Sequence, residues 1–129
     1  MAEKENLYGH RKMIVWQNLD KLEVLVEQMV LTKVPKNQFK LRDQIERATS
    51  SCTANFIEGY YSGSIKEYLR FLSYSKRSLA ELQDWVRRSF HKNYLSEENY
   101  LLIDDLLIKT MFLSNRLINS LKQKIVKPS

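Results

Sequence analysis

Val15, Leu19, Leu22, Val26 and Met29 recur at spacings of 4, 3, 4 and 3, and apolar seams of similar period return three more times along the chain. Side chains three and four residues apart share one face of an α-helix. Each seam therefore predicts an amphipathic helix that must bury one side. Only three glycines and two prolines occur in 129 residues, so few points can break that periodicity. The predicted helices span about 13–30, 40–61, 64–91 and 96–126.

The boundaries carry their own signals. Leu31 to Phe39 contains Pro35 and Asn37 and reads as a loop. Gly63 suits the left-handed position that follows a helix. Ser64 with Glu67 three residues later is a capping box that starts the third helix. Ser96, Glu97 and Glu98 start the fourth, and Lys122, Lys124 and Lys127 suit its negative C-terminal end. Long helices with short connections fit an all-α fold, an antiparallel up-down-up-down four-helix bundle, as one domain over residues 1–129. A chain of this length buries a sizeable core without disulfides. Cys52 is the only cysteine and sits on the seam of the second helix, where it is expected as a small core residue.

That second seam is unusual. Ala48, Cys52 and Gly59 are small, which invites a neighbouring helix to approach closely. Gly59 costs about 1 kcal/mol of helix propensity against Ala, so packing must offset it. Asn55 and Glu58 lie one turn apart beside the seam. They are expected to join Arg47, Arg77 or Ser78 in a buried polar contact that fixes helix register.

Two surfaces stand out. Net charge is +6, divided as +1 over residues 1–63 and +5 over residues 64–129. On the third helix Lys66, Arg70, Arg77 and Arg88 fall within about 40° of one another. With Tyr60 and Tyr61 nearby, this stripe is a candidate site for phosphates and unpaired bases. Lys109 and Arg116 add lesser candidates on the fourth helix. That helix also carries more apolar residues than one buried face needs. Ile103, Leu106, Leu107, Leu113, Leu117, Leu121 and Ile125 make a wide core stripe, and Leu101, Ile108 and Phe112 lie to one side of it. Those three are the expected self-association surface.

Enzymatic chemistry finds no support. Di-iron bundles use Glu-x-x-His pairs, whereas Leu7 and Arg88 stand three residues before His10 and His91. There is no Gly-rich phosphate loop and no zinc-ligand spacing. No catalytic residue, metal or cofactor is expected. Mean hydropathy is −0.44, no apolar run approaches the ~20 residues of a membrane span, and Met1 to Asn6 lacks a signal-peptide core. The expected setting is the cytoplasm, without a membrane partner.

The residues Val15-Trp16-Gln17, Arg47-Ala48, Asn55-Phe56-Ile57-Glu58-Gly59, Phe71-Leu72 and Ser78-Leu79-Ala80-Glu81-Leu82 occur in an ordered series. This series resembles the four-helix bundle family named for proteins encoded in intervening sequences of bacterial 23S rRNA genes. The family pattern reads Val-Trp-Gln, Arg-Ala, Asn-Ile-Ala-Glu-Gly, Phe-Leu and Gly-Ser-Leu-x-Glu-Leu. The likeness covers roughly residues 10 to 125. Phe56-Ile57 replace Ile-Ala, Arg77 replaces the Gly before Ser78, and Glu46 stands where a second basic residue is common. The resemblance implies a non-enzymatic bundle that assembles as a homopentameric ring. Related accessory proteins bind nucleic acid and work with reverse transcriptases, so RNA, DNA and a protein partner such as a reverse transcriptase are the implied partners.

Overall fold

The computed structural model describes residues 8–126. The expectations for Met1 to Asn6, Leu7 and Lys127 lie outside the described residues. A short 3-10 turn, Gly9–Lys12, leads into four helices: α1 (Ile14–Val26, extended by a π turn over Glu27–Leu31), α2 (Phe39–Tyr60), α3 (Ile65–His91) and α4 (Glu97–Val126). Each helix packs on two others, α1 on α2 and α4, and α3 on α2 and α4. Neighbours run antiparallel. Along α2 and α3, Ser51 meets Ser78 and Cys52 meets Ser75, and along α3 and α4, Gln83 meets Asp104 and Phe90 meets Tyr100. This is the predicted up-down-up-down bundle.

The predicted seams form the core, with two shifts. On α1, Val15, Leu19, Leu22 and Val26 are buried, but Val30 rather than Met29 completes the row. The π turn closes i to i+5 rings. Each residue there advances less around the axis, which brings Val30 back to the seam. On α4 the buried row is Ile103, Leu106, Leu107, Thr110, Ser114, Ile118 and Leu121. Leu113 and Leu117 are half-buried and Ile125 is exposed, contrary to expectation. Thr110 and Ser114 tolerate burial because each hydroxyl donates to the carbonyl four residues back, at 2.7 and 2.8 Å.

The α2–α3 contact is the closest in the bundle. A Cβ added at Gly59 would stand 2.9 Å from Phe71 Cβ and 3.0 Å from Tyr68 Cδ1. Such distances leave no room for a methyl group, so close packing offsets the propensity cost. Ser75 Oγ donates to the Cys52 carbonyl at 2.8 Å. Cys52 itself is buried, and burial pushes its thiol up to about 12.

The helix ends follow local chemistry. Gly63 takes φ +78° after α2. Ser64 Oγ accepts from Glu67 N at 3.3 Å, but the Glu67 carboxylate turns to Arg70, so only half of the capping box forms. Asn93, at φ +67°, closes α3. Tyr94 N donates to Ser89 O and Asn93 N to Phe90 O, the paired bonds of a Schellman turn. Arg42 Nη1 donates to the carbonyls of Leu31 and Val34, at 2.5 and 2.9 Å, and thereby holds the end of α1 against α2.

Candidate nucleic-acid interface

Lys66, Arg70, Phe71, Tyr74, Arg77, Trp85 and Arg88 all belong to α3, where residues at three- and four-residue steps share a side of the helix. The four cations are exposed. Their surroundings differ. Arg70 donates to Glu67 Oε2 through Nη2 at 2.6 Å and through Nε at 3.2 Å. These bonds hold its guanidinium even more firmly protonated than usual. Arg88 Nε reaches Asp84 Oδ2 at 2.9 Å, while Arg87 Nη2 takes Asp84 Oδ1 at 2.8 Å. Bonding to Arg87 first, and the charges of both arginines, hold the Asp84 carboxyl below its ordinary range. Lys66 and Arg77 have no carboxylate within 4 Å among the described residues. Exposed ion pairs contribute little to stability, so Arg70 and Arg88 remain available to exchange partners.

The aromatic side of the patch differs from expectation. Tyr60 and Tyr61 have partners of their own, although Tyr61 stays 60% exposed. Tyr61 Oη lies 2.9 Å from His10 Nδ1, and Tyr60 packs within 6.2 Å of Phe56 and 6.0 Å of Tyr68. Both rings pack on His10 of the Gly9–Lys12 turn, at 6.5 and 5.6 Å between centroids. The partners of the cations are Phe71 and Tyr74. The Arg70 guanidinium lies 4.9 Å from the Phe71 centroid and 5.7 Å from that of Tyr74, and Arg77 lies 5.7 Å from Tyr74 on its own account. Arg88 covers Trp85 at 4.9 Å. Tyr74 stands four residues after Arg70 and three before Arg77, a spacing from which its role was readable.

On α4, Lys109 pairs with Asp105 at 3.1 Å, and Arg116 lies 6.0 Å from the Phe112 centroid. Leu101, Ile108 and Phe112 are open to solvent, at 54%, 54% and 60% exposure. Leu102 beside them is 48% exposed. Leu101, Ile108 and Phe112 form an apolar strip along the outside of the helix, and Leu102 is turned about 100° from it.

The expected polar network takes another form. Asn55 Nδ2 donates to Ser51 O at 2.9 Å and to Ser51 Oγ at 3.0 Å, and Ser51 Oγ shares a 2.8 Å bond with Ser78 Oγ. Ser51, which sequence reasoning missed, links Asn55 to Ser78. Glu58 and Arg47 take no part in it. Glu58 is exposed, because a position two residues from buried Phe56 faces the opposite side of the helix. Arg47 is exposed as well and pairs with Asp43 at 3.5 Å. Arg77 stays on the outer face. Ser51 and Ser78 line a notch of about 400 Å³ between α2 and α3, together with Gln44, Arg47, Ala48 and Glu81.

Comparison with known proteins agrees with this architecture. The pattern of the 23S rRNA-intervening sequence proteins matches residues 11–124. The chain belongs to that family. A crystal structure of a protein of unknown function from the S23 ribosomal protein family of Bacteroides thetaiotaomicron superposes on it with a TM-score of 0.73. The superposition covers 81% of this chain and 98% of that one, at 20% sequence identity. At that identity the likeness shows the shared fold alone. No curated protein matches the chain. Among the described residues of this family member, no helix is long and apolar enough to cross a membrane.

Proposed function

We propose that this member of the 23S rRNA-intervening sequence family is a non-catalytic, self-associating bundle that binds RNA or DNA on the outer face of α3. One observation carries the reading. Arg70 and Arg77 converge on Tyr74, so positive charge and aromatic surface occupy the same few turns. Lys66 lies one turn before Arg70, and neither it nor Arg77 has a carboxylate partner among the described residues. Cations of this kind bind phosphates with release of counterions. Tyr74 offers a surface for stacking.

Self-association rests on the bare strip of Leu101, Ile108 and Phe112, which a second copy would cover. Rotational symmetry then repeats the α3 face, and linked weak contacts strengthen one another. The pentameric ring implied by the family resemblance is one such closed arrangement. The non-catalytic assignment draws on Cys52, whose buried and protonated thiol is unsuited to nucleophilic work, and on Glu58, which faces solvent.

The deciding experiment replaces Lys66, Arg70 and Arg77 together by Glu and measures polynucleotide affinity against salt. Affinity is expected to fall by about a hundredfold or more, and the dependence on salt to flatten by up to about three phosphate contacts. An unchanged affinity and slope reject the assignment. A second reading, a protein adaptor that docks a partner such as a reverse transcriptase, is favoured by the same α4 strip. Partner capture that survives high salt and nuclease treatment, and is lost on replacing Phe112, supports it.

A further inference from the structure

The outer face of α3 offers more than charge. Guanidinium planes and rings alternate over Arg70, Phe71, Tyr74 and Arg77, a distance of about 10 Å along the helix. One turn beyond Tyr74, Ser78 lines the polar notch between α2 and α3. The notch has unused hydrogen-bonding capacity. Ser51 and Ser78 carry two hydroxyl protons, and only one lies between them. Asn55, which lies outside the notch lining, donates its amide to Ser51 Oγ and so helps to orient that hydroxyl. Arg47 and Glu81 both line the notch, so it carries no one-sided charge, and the Glu81 carboxylate can accept from the amino edge of a base.

A duplex cannot use this arrangement well. Its bases are stacked face to face, and it presents mainly phosphates and groove edges. An unpaired base exposes a π face and a hydrogen-bonding edge. Resting on the nucleic-acid reading above, we infer that the α3 face selects single-stranded polynucleotide, with an unpaired base against Tyr74 and its edge in the Ser51–Ser78 notch. RNA and DNA single strands share that chemistry.

The test uses fluorescence anisotropy of the full chain with three probes: an unstructured RNA oligonucleotide, DNA of the same sequence, and an RNA duplex of matched length. Both single strands are expected to bind about tenfold more tightly than the duplex. Tyr74→Leu should lose that preference while keeping the salt slope, and Tyr74→Phe should retain it. Circular dichroism checks that both variants remain helical, and the wild-type comparison of probes stands even if one does not. Equal affinity for all three probes, or tighter duplex binding, overturns the inference. If the Lys66, Arg70 and Arg77 variant then weakens all three together, the charge-based reading survives without it. A strong preference between RNA and DNA single strands also overturns the stacking account, because it assigns the contact to the 2′-hydroxyl. Wild-type protein that binds none of the probes removes both readings.

Discussion

α3 and α4 are the two longest helices, at 27 and 30 residues, and each turns apolar surface outward in a different way. On α3, Phe71, Tyr74 and Trp85 each lie under a guanidinium and are only half-exposed. On α4, Leu101, Leu102 and Ile108 stand bare, and Arg116 reaches only Phe112. Rings lidded by cations suit a ligand that is itself charged and flat. A bare aliphatic strip suits the surface of another protein, where burial contributes roughly 25 cal/mol per Å² of apolar area. On the reading proposed above, the contrast separates a nucleic-acid face from a self-association face on neighbouring helices.

The strongest way to break that contrast is to make the α4 strip polar. Replacing Leu101, Ile108 and Phe112 by Ser should reduce the particle to a single 15.4 kDa chain by light scattering, with helix content unchanged. A particle that keeps its mass shows that the strip does not hold the assembly. Charge reversal comes next, as a comparison between the two helices. Lys109→Glu with Arg116→Glu should cost less than about tenfold in polynucleotide affinity, because Lys109 is already paired with Asp105. The α3 triple variant should cost far more and leave the mass unaltered. Equal losses from both helices would merge the two faces into one.

Two smaller effects probe the α2–α3 contact that supports the proposed binding face. Gly59→Ala gains helix propensity but drives a methyl group into Phe71. Overpacking of this kind costs about 1–3 kcal/mol, so urea denaturation should show a net loss of about 1 kcal/mol after the propensity gain of a similar size. Ser51→Ala removes the link between Asn55 and Ser78. A loss of about 1 kcal/mol is expected from the same measurement.

Much of the bundle was legible in the residues. The 4-3-4-3 spacing of α1, the breaks at Pro35 and Gly63 and the small side chains at Ala48, Cys52 and Gly59 specify four helices and their closest pair. The outward position of Glu58 was legible too, from its two-residue step past Phe56. Other features depended on three-dimensional packing. The π turn that exchanges Met29 for Val30 has no signature in the apolar spacing, which continues as a regular heptad to Met29. Buried Thr110 and Ser114 look like surface residues until their hydroxyls are seen to bond within the helix. Tyr60 and Tyr61 were placed correctly along the chain, but His10 claims Tyr61, and no spacing rule links residues fifty-one apart.

The buried thiol at Cys52 has a practical consequence. A dye or spin label applied to the native protein meets no other sulfhydryl, so the unaltered chain serves as its own blank. A cysteine introduced at exposed Ser73 or Lys92, away from the α4 strip, becomes the one accessible reporter, and distances between labels test whether copies of the chain meet and in what arrangement.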